Sequence, residues 1–141
     1  HKDGWLEVNV PMDGASIKNR TEAKIKDYQN QNLPSNGFSP ERFEFLRQTV
    51  GLLQTYGKVI MVRIPVAEAL IAIEQQLMAD FDERICSLTE PCEVVYWSLI
   101  QNSDDYVFTD GNHLSKESAA KFSKLVAGKI QQEMQSDCPC Q

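Results

Sequence analysis

Histidine is scarce in this sequence, which also has neither a long apolar run nor an excess of basic residues. The chain has two histidines, and its 14 lysines and arginines against 20 aspartates and glutamates give a formal net charge of −6. Phosphate binding needs clustered Lys and Arg, whereas the basic residues here are scattered, so nucleic acid and anionic membranes are excluded as main partners. The most apolar stretch, 59–73, is interrupted by Arg63, Pro65 and Glu68. It falls short of the roughly 20 residues that span a bilayer, so no integral membrane segment is predicted.

The composition is that of an ordinary globular protein, with 42% hydrophobic and 24% charged residues. A length of 141 residues suits one domain. We divide the chain into a poorly defined N-terminal segment over 1–37 (short strand, polar helix or loop), an α/β domain of catalytic type over 38–135, and a flexible tail over 136–141. His1 is not a natural start, so the lack of a leader in front of it says nothing about the parent gene.

The four cysteines form two close pairs, Cys86 with Cys92 and Cys138 with Cys140. These spacings do not match the common zinc knuckles, so we predict no metal site. A Cys86–Cys92 disulfide and unpaired thiols both remain open. An even count of cysteines permits disulfides in an oxidising compartment, which favours an extracytoplasmic location without fixing it.

The N-terminal half of the sequence predicts a strand and two helices. Residues Trp5–Val10 alternate as a short strand would, and Ala15–Gln31 is a polar, helix-compatible stretch. Ser39 is a natural helix N-cap with Pro40 at the first helical position. Apolar residues then follow at helical spacing as far as Gly57, namely Phe43, Leu46, Val50 and Leu53.

The C-terminal half alternates strands with helices. Lys58–Ile64 is β-branched, nearly all apolar and ended by Pro65, as in a strand of a sheet interior. A single long helix is predicted next, from apolar residues that recur every three or four positions: Val66, Leu70, Ile73, Leu77, Phe81 and Ile85. Val94–Trp97 supplies the second strand. The last helix begins near Ser115, with its buried stripe made by Ala119, Phe122, Val126 and Ile130.

Strands joined by a crossover helix are parallel, and such connections are right-handed almost without exception. The order therefore predicts an α/β fold, layered α/β/α around a small parallel sheet. In such sheets the reactive groups gather beyond the carboxyl ends of the strands, where the loop from Ser98 to Leu114 emerges.

That loop carries Asp110 and His113, three residues apart in Asp-Gly-Asn-His. A carboxylate within reach of an imidazole fixes its tautomer, orients the ring and stabilises the imidazolium formed when the histidine takes a proton from a nucleophile. Two other interpretations stay open: Asp110 as a turn residue, since Asp-Gly and Asn favour tight turns, and His113 as a surface or capping residue.

The block Asp110-Gly-Asn-His113-Leu-Ser, followed by Ala119, Ala120 and Phe122 on a helix, resembles the last block of the SGNH (GDSL-type) hydrolase superfamily. The resemblance covers residues 40 to 134. It implies a flavodoxin-like architecture and ester hydrolysis or acyl transfer through a serine acyl-enzyme, with His113 as general acid and base and Asp110 as its orienting partner. The implied substrate is an acyl ester on a lipid, a sugar or a cell-envelope polymer, and no cofactor is implied.

The family's Gly-Asp-Ser and Gly-x-Asn-Asp blocks have no good match in this sequence. Ser16, in Asp13-Gly-Ala-Ser16, is a weak stand-in for the nucleophile. We interpret the chain as the C-terminal part of a larger domain, with its nucleophile upstream or on another chain that completes the domain. The competing interpretation makes residues 1–37 a shortened or diverged version of the missing part.

Two further interpretations remain. A non-catalytic module would keep the fold and bind a partner or a glycan without the serine and the oxyanion donors. In an unrelated α/β domain the Asp-x-x-His spacing would be accidental, which predicts that Asp110 and His113 point apart. Arg63, near the end of a strand, is expected to form a structural ion pair, or alternatively to meet a substrate anion.

Overall fold

The computed structural model of the chain describes residues 9–32, 38–89 and 94–135. Within these ranges lie five α-helices and two strands: α1 (Gly14–Asp27), α2 (Pro40–Gln54), β1 (Val59–Arg63), α3 (Glu68–Leu77), α4 (Phe81–Cys86), β2 (Val94–Ser98) and α5 (Lys116–Gln135). A short π-helical segment, Tyr28–Asn32, extends α1, and a 3₁₀ segment, Ile100–Asp105, follows β2.

The two strands form a parallel sheet whose register runs from Val59 opposite Val94 to Arg63 opposite Ser98. The ladder ends where the Leu99 N–H donates to the Arg63 carbonyl over 3.0 Å. A parallel pair needs a crossover connection, and α3 and α4 supply it. The predicted α/β class is therefore confirmed. In the described part of the chain the sheet has two strands, so β1 pairs with β2 alone.

The first turn of α2 follows from its sequence. Ser39 is extended, and its hydroxyl accepts a hydrogen bond from the Arg42 N–H over 3.3 Å, while Pro40 occupies the first helical position. Proline there lacks an N–H that the helix would leave unpaired in any case. The prediction of this helix is confirmed, with its end at Gln54 instead of Gly57.

The prediction of one long helix after β1 is wrong, because the chain leaves helical geometry at Met78 (φ −155°, ψ 86°) and starts α4 at Phe81. Both helices bury an apolar face, with Ile73 and Ile85 at 4% and 7% exposure, so the helical spacing of apolar residues continues across the break. The turn lets Asp82, in the first turn of α4, reach the sheet.

The C-terminal half of α5 contacts β2 and the residue just before β1. Lys58, just before β1, forms an ion pair with Glu133 at 2.6 Å, and the Lys129 ammonium lies 5.3 Å from the centroid of the Trp97 ring on β2. The predicted start of α5 is confirmed, since the Ser115 hydroxyl accepts from the Ser118 N–H over 3.2 Å.

The start of α3 is among the most tightly packed places in the described residues: Leu70 is fully buried, and so is Pro65. Across the described ranges, no helix has the length and the apolar character that crossing a membrane requires. Cys86 is exposed at the end of α4. Most of the predicted strand Trp5–Val10, and Cys92, the predicted partner of Cys86, lie outside the described residues.

Candidate functional site

The Asp-Gly-Asn-His segment forms a closed turn between β2 and α5. An antiparallel bridge between Phe108 and Leu114 closes its base. The Thr109 N–H donates to the His113 carbonyl and the Ser115 N–H donates to the Val107 carbonyl, each over 2.8 Å. These bonds fix the backbone that carries the two candidate side chains.

Gly111, at the tip of the turn, has a backbone conformation that favours glycine. Its φ of +96° lies in the left-handed region, and an added Cβ would stand 3.1 Å from Leu70 Cδ1 and 3.3 Å from Thr21 Cγ2. Its carbonyl accepts from the Ala67 N–H over 2.7 Å. The turn is therefore docked on the start of α3 at a position where any residue other than glycine is strained.

Asp110 and His113 face each other within the turn. The imidazole Nδ1 lies 2.9 Å and 3.0 Å from the two carboxylate oxygens of Asp110, and the His113 N–H also donates to Asp110 Oδ1 over 3.0 Å. An ionised carboxylate only accepts, so Nδ1 carries the proton and Nε2 presents a lone pair in the neutral ring. The interpretation of an accidental spacing predicted the opposite geometry, with the side chains apart.

The pair combines a shielded carboxylate with an accessible ring, the side chains being 18% exposed at Asp110 and 69% at His113. Burial acts to raise the pKa of Asp110, but hydrogen bonds from the His113 imidazole and amide outweigh it and hold that pKa below its usual range. Asp110 is thus anionic at neutral pH. The arrangement can hold an imidazole in one tautomer with Nε2 available to a reacting hydroxyl.

The structure does not bring Ser16 into hydrogen-bond contact with the ring of His113. Ser16 lies in the first turn of α1, where its N–H donates to Asp13 Oδ1 over 2.9 Å. Hydrogen bonds from the Ser16 hydroxyl and amide lower the pKa of Asp13. At about 1.5 Å per residue, Ser16 lies roughly 12 Å along the axis of α1 from Lys24, whose ammonium lies 3.6 Å from Asp110 Oδ2. Ser16 as nucleophile stays a prediction.

Arg63 forms the structural ion pair that its position suggested. Its guanidinium donates to Glu74 Oε2 over 3.0 Å and to Asp82 Oδ1 over 2.9 Å, and it stacks on the Phe81 ring with 4.6 Å to the centroid. Tyr96 donates its hydroxyl to the same Asp82 carboxylate. Burial, with this hydrogen bond second, raises the pKa of Tyr96 to about 12.

A cavity of about 590 Å³ opens beside this cluster, against β1 and the helices of the crossover. Its walls are mostly apolar, and they include Leu46, Met61, Leu77, Phe81 and Ile85. The polar groups at its border, Arg63, Glu74 and Tyr96, bind one another or Asp82. Neither Asp110 nor His113 lines it. Nowhere in the described ranges do three or more His, Cys, Asp or Glu side chains converge as metal ligands would.

Sequence reasoning missed the contribution of α1 to the turn. Lys24 of α1 lies 3.6 Å from Asp110 Oδ2, and Arg20 donates from Nε to the Thr109 carbonyl over 2.8 Å. The two residues stand one helical turn apart in a polar helix, a spacing that marks one face but does not say what that face meets.

No protein-family model, curated protein sequence or solved structure matches this chain.

Proposed function

We propose that this chain is an SGNH-type ester hydrolase or acyltransferase domain of layered α/β/α, flavodoxin-like architecture, in which Asp110 and His113 serve a serine acyl-enzyme. The observation that carries the proposal is the contact of His113 Nδ1 with both Asp110 oxygens, which leaves Nε2 on a ring that is 69% exposed. The Asp-x-x-His block and its place after β2 support it.

In this mechanism Nε2 takes the proton of a serine hydroxyl as that oxygen bonds to the ester carbonyl carbon. Asp110 stabilises the imidazolium that results. The ring then returns the proton to the leaving alkoxide as the ester C–O bond breaks, which leaves an acyl-serine. Water, or an acceptor hydroxyl in an acyltransferase, attacks the acyl-serine by the same proton relay. The substrate is an acyl ester on a lipid, a sugar or an envelope polymer, and the chemistry uses no cofactor.

The serine belongs, in this proposal, to a segment or chain that completes the domain, with Ser16 as the candidate within the present sequence. A non-catalytic module that binds a partner or a glycan is the second candidate function. It is favoured by the absence, among the described residues, of a hydroxyl hydrogen-bonded to the His113 ring, and by the engagement of Ser16 with Asp13.

The test is hydrolysis of p-nitrophenyl acetate and butyrate by the full gene product and by this chain. His113→Gln is expected to lower kcat/KM by about 100-fold or more, because it removes the proton acceptor. Asp110→Asn is expected to act in the same direction by disturbing the tautomer. His1→Gln changes the other histidine of the chain and serves as the control. Turnover that survives His113→Gln removes His113 from the mechanism.

A binding module gives a different pattern. No form of the protein then hydrolyses either ester, while a hydrolase of known activity does so under the same conditions. In that case His113→Gln also leaves the affinity for a bound partner largely intact.

A further inference from the structure

One face of α1 lies against the turn that carries Asp110 and His113. We call this face the α1 stripe; its members stand four positions apart, and they are Arg20, Lys24 and Tyr28, the last being the C-cap residue of the helix. Residues four apart lie one above another on a helix, so the stripe is continuous. Each member contacts a different residue of the turn between Thr109 and Asn112.

Arg20 ties the turn to the start of α1. Its Nε donates to the Thr109 carbonyl over 2.8 Å and its Nη2 donates to the Pro11 carbonyl over 2.6 Å. The planar guanidinium makes both bonds at once through two of its nitrogens. A lysine has a single nitrogen on a flexible stem and cannot reproduce this geometry. The residue that Arg20 contacts, Thr109, is itself bonded to His113, because the Thr109 N–H donates to the His113 carbonyl.

Lys24 meets the carboxylate itself. Its ammonium lies 3.6 Å from Asp110 Oδ2, the oxygen that faces His113 Nδ1 at 2.9 Å. The Lys24 and Asp110 side chains are 28% and 18% exposed, so this ion pair is more shielded from solvent than a typical surface pair. Lys24 therefore supplies a positive charge beside the carboxylate on the side of α1.

Tyr28 holds the far side of the turn. Its hydroxyl accepts a hydrogen bond from Asn112 Nδ2 over 3.3 Å. Asn112 directly precedes His113, and its own N–H leans toward Asp110 Oδ1 at 3.4 Å. The α1 stripe thus contacts the turn on both sides of Gly111, while the Gly111 carbonyl accepts a hydrogen bond from the Ala67 N–H just before α3.

We propose that the α1 stripe positions the Asp110–His113 pair, with Arg20 and Tyr28 as positioning residues that hold the turn so that the carboxylate stays on Nδ1. This inference deepens the proposed function and rests on it for its catalytic meaning. The geometry that it describes is independent of any nucleophile or substrate.

The experiment uses the present chain labelled with ¹³C and ¹⁵N in histidine only, so that two imidazoles contribute signals. His113→Gln assigns the signal of interest. The share of the Nδ1-protonated tautomer is read from the ring shifts, and amide exchange at 109–113 is measured by NMR on a uniformly ¹⁵N-labelled sample. Arg20→Lys and Tyr28→Phe are the test variants, because each keeps the charge of the residue that it replaces. Arg42→Lys and Tyr56→Phe, both at exposed positions in or just after α2, are the matched controls.

Each test variant is expected to speed exchange of the His113 amide about 3- to 10-fold, the range for loss of one ordinary hydrogen bond. The tautomer balance of His113 is expected to shift toward the Nε2-protonated form that free histidine prefers. Amides of β1 keep their wild-type exchange, and the controls change neither quantity.

Two results overturn the proposal. In one, the test variants match the controls in both exchange and tautomer. In the other, exchange rises equally in the turn and in β1, which shows a general loss of stability without a specific effect on the pair. Because no readout involves ester turnover, the inference can fail while His113 still proves essential for hydrolysis, and it can hold in a protein that hydrolyses nothing.

Discussion

Replacing Gly111 by alanine should destabilise the protein, because two independent features of the turn require glycine. The backbone at Gly111 has φ +96°, which costs a residue with a Cβ roughly 1–2 kcal/mol. The new methyl would also stand 3.1 Å from Leu70 Cδ1 and 3.3 Å from Thr21 Cγ2. Crowding of a packed site adds up to about 1–3 kcal/mol.

The unfolded chain partly offsets these costs, because alanine has fewer unfolded conformations than glycine, a gain of about 0.4–1 kcal/mol. Together these contributions predict that Gly111→Ala lowers the free energy of unfolding by about 1–4 kcal/mol. The assay is urea unfolding followed by circular dichroism and by tryptophan fluorescence, with the slope of the transition checked for constancy.

Gly128→Ala is the matched control. Gly128 lies within α5, and nothing stands within 4 Å of an added Cβ there. Alanine in a helix interior is favoured over glycine, so this variant should gain about 0.5–1 kcal/mol. Opposite signs for the two substitutions support the geometry at Gly111. A Gly111→Ala variant as stable as the wild type would refute it.

Two further predictions concern the Arg63 cluster. Arg63→Met should lower the free energy of unfolding by about 1–3 kcal/mol, because it removes a guanidinium that is only 14% exposed and serves both Glu74 and Asp82. Arg47→Met, at a pair whose side chains are 61% and 46% exposed, should lower it clearly less, and equal losses in urea unfolding contradict this. Since burial and the Asp82 hydrogen bond raise the pKa of Tyr96 to about 12, the stability that Tyr96 contributes is present below its unfolded pKa near 10 and is lost as pH rises through about 12. Ultraviolet titration should show a phenol with that pKa which disappears in Tyr96→Phe, and an unchanged titration in the variant would count against it.

Local signals in the sequence were sufficient for several elements. Ser39 followed by Pro40 located the start of α2, and the β-branched run before Pro65 located β1. Ser115 located the start of α5. In each case the residues that form the element lie within a few positions of the residues that predict it. A local sequence pattern is therefore enough to locate the element.

The break between α3 and α4 could not be predicted in the same way. The apolar spacing from Leu70 to Ile85 continues through it, since both helices pack apolar faces inward. The break at Met78 is accompanied by bonds that Asp82 makes to Arg63 and Tyr96, more than ten residues away on either side. Periodicity carries no information about such long-range contacts.

In the candidate site, too, the short-range contact could be predicted and the long-range contacts could not. The Asp110–His113 contact spans three residues and follows from the turn chemistry of Asp-Gly-Asn. The contacts of Arg20 and Lys24 with the turn join residues far apart in sequence, and the polar character of α1 gave no sign of them. Whether Ser16 or another serine meets His113 stays a prediction for the same reason.

The most direct test of the proposed acyl-enzyme is reaction of the full gene product and of this chain with a fluorophosphonate probe, followed by mass spectrometry to locate the modified residue. We predict one labelled serine, with labelling lost in His113→Gln and retained in His1→Gln. Absence of labelling in both forms, while a serine hydrolase of known activity is labelled under the same conditions, would contradict the catalytic role of Asp110 and His113.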